Sequence, residues 1–216
     1  MTVLVAAALL LAGCRSSSGG STSATAPQPV VNVNAAAPPS TSGSASGNTS
    51  PAKPPRPLAR SVPVRLEIPA IGVDTPVVKL GLAADGSVQV PPIEAHAPAG
   101  WYQGSPTPGQ VGPSVILAHV TVGQYGDGVF LHLSRLRPGD RIVARLADGA
   151  SAAFTVDRVQ TVAKAHFPTS AVYGDVDRPE LRLITCGGPR NSDGSGYLDN
   201  VVVYASLAAP AAGTTH

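Results

Sequence analysis

Two side chains in this sequence have types and settings suited to covalent chemistry, Cys186 and His119. Cys186 falls near the end of the run Glu180-Leu-Arg-Leu-Ile-Thr-Cys-Gly-Gly188, where Leu181, Leu183 and Thr185 share one parity and Arg182, Ile184 and Cys186 the other. That alternation predicts a short strand that ends at Cys186, beside a Gly187-Gly188 turn that leaves room around the sulfur. The chain has two cysteines, and the other, Cys14, sits in what reads as an export signal. Cys186 is then an odd thiol in an exported chain: a buried structural residue, a reactive group or one half of an intermolecular bridge.

His119 closes the apolar run Ser114-Val-Ile-Leu-Ala-His119, which predicts a buried strand with the imidazole at its end. If the two strands bring their ends together, the result is a Cys–His pair. A free thiol, with a pKa of about 8.5, is only partly ionised at neutral pH, and a neighbouring imidazolium favours the thiolate. The same imidazole can then protonate an amine leaving group. Cleavage of an amide needs both acts. His96, His132 and His166 have no such setting and read as loop or surface residues, and His216 is terminal.

Leu183-Ile-Thr-Cys186 resembles the TLxTC signature of sortases, the cysteine transpeptidases of the Gram-positive surface. The fuller Arg182–Gly188 run with Asn200-Val-Val-Val-Tyr-Ala205 is similar to the class F branch. Trp101-Tyr102, Pro106-Thr-Pro-Gly109, Leu117-Ala-His-Val120 and Phe130 extend the resemblance over about residues 63–207. It implies a closed sortase-type β-barrel of about eight strands and a catalytic Cys186–His119 pair. It also implies a secreted partner carrying an LPxTG-like signal, and an amine acceptor from a wall precursor or a protein lysine. Hydrolysis by the same pair is an alternative, as is a non-catalytic barrel that binds a surface polypeptide. A redox role is disfavoured, since Cys186 has no resolving cysteine nearby.

The family's third catalytic residue is an arginine at the start of the final strand, where a guanidinium can stabilise an oxyanion. Alignment on Val201-Val-Val-Tyr-Ala205 puts Asn200 there, a donor without charge. Arg182 shares the parity of Cys186 but lies four residues back, roughly 13 Å along a strand. It could assist the substrate or pair with Glu180 or Glu94. Arg190, after Gly187-Gly188-Pro189, could fold back or remain a solvated loop charge. No ligand spacing suggests a metal, and no cofactor is expected.

The elements that must position these groups read as all-β. Val64–Ile68, Thr75–Lys79, Val88–Val90, Arg141–Leu146, Ala152–Val156 continuing to Ala163, and Val201–Ser206 join the two strands above. Asp148-Gly149 marks the clearest hairpin, and Asp85-Gly86 marks a second, leading to Val88–Val90. Short helical turns are expected near 129–136 and 168–173. Trp101-Tyr102 reads as barrel packing; the sortase resemblance implies substrate contact as a secondary role for it, and implies that Phe130 anchors a helical turn.

Ahead of this domain, the uncharged Thr2–Gly13 ends in Leu9-Leu-Leu-Ala-Gly-Cys14, which fits a bacterial lipobox, although no Lys or Arg precedes it. The run is too short to span a bilayer, which needs about 20 residues. Cys14 is therefore expected to be lipidated, anchoring the chain outside the membrane and facing the wall. Residues 15–62 are rich in Ser, Gly, Thr, Ala and Pro and predict a disordered tether, with 63–207 as the barrel and 208–216 as a flexible tail. The net charge of +2 comes with no basic cluster, so no nucleic-acid partner is expected.

Overall fold

The computed structural model describes residues 55–194 and 196–209. Cys14, most of the tether and the end of the tail lie outside the described residues. The strands are β1 (Pro63–Ile68), β2 (Val73–Leu80), β3 (Ala99–Tyr102), β4 (Gly112–Leu117), β5 (Arg141–Leu146), β6 (Ser151–Ala163), β7 (Pro179–Arg190) and β8 (Tyr197–Leu207). They close into one barrel in the order β1-β2-β3-β4-β7-β8-β6-β5. Closure leaves no unpaired edge, which an open sheet of this size would have to protect. Among the described residues, helix is confined to α1 (Thr169–Tyr173) and a few single 3₁₀ turns.

Side-chain alternation sends one parity of each strand to the interior. Leu66 and Ile68, Ile116, Ile142 and Ala144, Phe154, Leu181 and Leu183, and Val201 and Val203 meet there in one core. Trp101 and Phe130 are also buried in it. The opposite parity of β4, β7 and β8 is buried too. Val115, Ile184, Val202 and Tyr204 form a second cluster with Val172 of α1, flanked by Phe167 and Tyr173. This double burial explains the nearly unbroken apolar runs in β4 and β8.

The β5–β6 hairpin turns at Asp148-Gly149 as expected. Gly149 adopts φ +86°, and the Asp148 carboxylate accepts from the Ala150 N–H at 2.9 Å. Two expectations about the strands are revised. Val88–Val90 is not a barrel strand: Val88 makes one isolated bridge to Leu82 within a long excursion, residues 81–98. The Asp85-Gly86 turn does form, with Ala83 N–H donating to the Ser87 carbonyl at 2.8 Å, but the strand that follows β2 in the barrel is β3, which pairs parallel to it. Cys186 is also not a terminal strand residue, because β7 runs on to Arg190 with an irregularity in register after Gly187.

Leu58–Val62, assigned to the tether from composition, lie against the barrel. The Leu58 N–H donates to the Gly109 carbonyl at 2.8 Å, and Ala147 N–H to that of Val62 at 2.9 Å. Ser61 N–H donates to Thr107 Oγ1 at 3.2 Å.

Candidate active site

The site lies on the outer face of β4 and β7, which run parallel. Their register aligns Leu117 with Ile184, so His119 and Cys186 each stand two residues beyond one matched pair. Cys186 keeps the parity of Ile184 and faces outward, half-buried. On its other side, β8 pairs antiparallel and sets Asn200 directly opposite Cys186. Directly opposed residues have Cβ atoms about 5 Å apart. His119, Cys186 and Asn200 together line a cavity of ≈ 260 Å³. Val90 and Pro91 of the 81–98 excursion wall one side, and Phe167 and Tyr173 the other.

Backbone contacts hold the His119 segment beyond the end of β4. Ala118 N–H donates to the Ile184 carbonyl at 3.2 Å. Thr185 points inward, 4 % exposed, and its hydroxyl donates to the Ala118 carbonyl at 2.7 Å. A second tie comes from the following loop: Gly128 N–H donates to the Val120 carbonyl and Phe130 N–H to that of His119. A Cβ at Gly128 would stand 2.1 Å from the His119 carbonyl oxygen, so only glycine permits this approach. Sequence reasoning did not single out Thr185 or Gly128. Their partners are fixed by long-range register, which no local pattern signals.

His119 Nε2 lies 2.7 Å from the Pro91 carbonyl oxygen. A carbonyl can only accept, so Nε2 carries the proton and donates it. The second aromatic wall is itself braced. The Tyr173 ring meets Tyr102 edge-on at 6.3 Å and Phe167 at 6.2 Å, and burial pushes the Tyr173 phenol up from its ordinary value.

The two candidate arginines lie outside the cavity. Arg182 is buried and ion-paired with Glu180, the alternative weighed for it from sequence. Its Nε donates to the Ala171 carbonyl at 3.2 Å, and its guanidinium stacks over Tyr204 at 4.7 Å. Arg182 therefore ties the α1 wall to the barrel. Arg190 is exposed, donates to the Tyr197 hydroxyl at 3.1 Å and stacks over that ring. Among the described residues, no three His, Cys, Asp or Glu side chains gather as a metal site.

The class of protein follows from a closed eight-stranded barrel that carries Cys186 on β7 and His119 just beyond β4, each two residues past the Leu117–Ile184 pair. The sortase domain model matches residues 66–208, and the chain belongs to the sortase family. Sortases are extracytoplasmic cysteine transpeptidases that act on surface proteins bearing sorting signals. The fold is similar to sortase A of Corynebacterium diphtheriae, at 20% identity and a TM-score of 0.52 over 73% of this chain and 65% of that one. It is likewise similar to sortase C of Streptococcus pneumoniae, at 22% identity and a TM-score of 0.51 over 69% and 67%. No protein of curated function matches the chain. Among the described residues, no helix is long and apolar enough to cross a membrane.

Proposed function

We propose that the chain is a class F sortase that cleaves an LPxTG-like signal and passes the acyl group to an amine. The Cys186 thiolate attacks the Thr carbonyl carbon, and the Asn200 amide donates to the resulting oxyanion. His119 protonates the Gly nitrogen as the C–N bond breaks, leaving a thioester on Sγ. The entering amine attacks that thioester, gives its proton to His119 and releases the thiolate. Asn200 brings a hydrogen bond without a full charge, which stabilises an oxyanion less than a guanidinium does. Cys14 carries the lipid, and the Ser/Gly/Pro-rich segment after it gives the barrel reach into the wall.

The observation that carries this reading is the shared lining of one cavity by His119, Cys186 and Asn200. The test is intact mass after incubation with an LPxTG peptide and no acceptor. A hydroxylamine-labile adduct is expected, absent in Cys186→Ala and His119→Ala. Asn200→Ala should slow its formation about 10²-fold, the scale of one lost oxyanion donor. No adduct across a panel of sorting peptides, with Cys186 inert to a small alkylating agent, would sink the proposal.

A further inference from the structure

The outer groove does not end at the Cys186 cavity. A larger space of ≈ 880 Å³ adjoins it, and the two share Ser87, Val88, Phe167 and Tyr173 in their walls. Its floor is the first half of β4, Gly112 to Val115. Strand register sets Val115 beside Arg182 and Gly112 beside Pro179, four and seven residues back from Cys186. At about 3.3 Å per residue, the second space begins roughly 13 Å from the nucleophile's position and runs to roughly 23 Å.

An extended substrate covers the same distances. Laid along β4 with the residue before the cut at Cys186, its fifth to eighth residues before the cut reach this space. A five-residue signal cut before its last residue stops at the near edge. The lining is more apolar than polar, and two of its apolar side chains have no cover: Leu82 is 53% exposed and Val111 48%. Among the described lining residues, the single charge is the exposed carboxylate of Asp175 on the rim.

We infer that this groove is an upstream subsite, taking an extended apolar segment with a basic residue just before the sorting signal. The inference rests on the sortase reading for the direction of the substrate. Apolar side chains would cover Leu82 and Val111, and a Lys or Arg would meet Asp175. Burial of each aliphatic side chain favours binding, and ordering the segment opposes it. A net gain of about tenfold in affinity remains after those costs are met.

The binding test uses the Cys186→Ala chain, which cannot turn substrate over, and fluorescence anisotropy. Two labelled peptides carry Leu-Pro-Glu-Thr-Gly, preceded in one by Val-Lys-Val and in the other by Ser-Gly-Ser. The first should bind about tenfold more tightly. Val111→Asp, at an exposed loop position, should bring the two within about twofold. Asp175→Asn should weaken Val-Lys-Val binding and leave a Val-Gln-Val peptide unchanged. Equal affinities, or no measurable binding of either peptide, overturn the subsite. Turnover of the same peptides by the native chain tests the enzyme reading separately. A retained tenfold preference in binding with no thioester on either peptide would sink that reading and leave the groove standing.

Discussion

Thr185→Val separates the positioning of His119 from the chemistry of Cys186. Valine keeps the shape of threonine but loses the hydroxyl that donates to the Ala118 carbonyl at 2.7 Å. That carbonyl belongs to the residue next to His119 and would lose this partner in a buried setting. Leaving a buried acceptor unsatisfied costs about 1–3 kcal/mol. For a barrel of about 150 residues, 1.5 kcal/mol lowers Tm by roughly 4 °C. The larger effect falls on rate, because a displacement of about 1 Å at a reacting group can cost 10²-fold.

Cys186 itself stays on the β7 ladder, paired with Asn200. Alkylation by a small reagent, measured on the folded protein, should therefore change less than threefold, by the same reasoning. Thioester formation with an LPxTG peptide, followed by intact mass, should fall by about one to two orders of magnitude. Thr185→Ser restores the donor and should recover most of that loss. If Thr185→Val loses stability yet forms thioester at the native rate, the hydroxyl is merely structural and the reasoning is refuted.

Gly128→Ala places a Cβ 2.1 Å from the His119 carbonyl, against backbone that cannot swing aside. Thioester formation should fall at least tenfold with Cys186 alkylation intact, and an unchanged rate would show that the loop yields freely. Arg182→Met strips Glu180 of its buried partner while leaving Arg178, which contacts the same carboxylate at 2.5 Å. Stability should drop by about 3 kcal/mol, the low end for a broken buried pair. KM should rise more than kcat falls, because the α1 wall loses its tie. An equal loss in kcat alone would point to a direct catalytic role. The exposed pairs Arg65–Asp74 and Arg145–Glu67 hold both carboxyls below their ordinary range, chiefly through hydrogen bonds from the guanidinium groups. Depressed folded values add stability that is present above the unfolded carboxylate pKa, about 4, and lost as pH falls through the folded ones. Tm should therefore be flat from pH 7 to 5 and fall below about 4. An Arg65→Gln, Arg145→Gln double variant should show a shallower fall, and parallel curves would refute the assignment.

Much of the site was legible because short-range rules governed it. The alternation in Leu181–Cys186 gives the outward face of the sulfur, and Asp148-Gly149 gives the hairpin that sets the β5–β6 register. Alignment on Val201–Ala205 puts Asn200 at the start of the last strand; β8 begins earlier, at Tyr197, but Asn200 does stand directly across from Cys186. What escaped depends on parallel pairing and on partners far apart in the chain. Ala99-Gly-Trp-Tyr102 has neither a β-branched run nor a flanking tight turn, and it becomes a strand only because β2 and β4 flank it. Val88–Val90 has better strand composition but no neighbour to pair with beyond one bridge. Leu58–Val62 looks like tether by composition, yet Ser61 and Leu58 find partners at Thr107 and Gly109. Arg182 was read with two possible fates because parity alone does not say which carboxylate waits beneath α1.

The parallel pairing of β4 with β7 also governs when the protein can first act. The Thr185–Ala118 tie closes a separation of 67 residues, and the intervening chain contributes β5 and β6 to the same barrel. Non-local closures of this kind form late, since the entropy of closing the loop precedes any return from contacts. Asn200 comes later still, on the strand that joins β7 to β6. A nascent chain that has exposed His119, or even Cys186, therefore lacks the complete Cys186–His119–Asn200 lining until β8 docks. On the proposed mechanism, the order of barrel closure is thus also the order in which the catalytic groups come together.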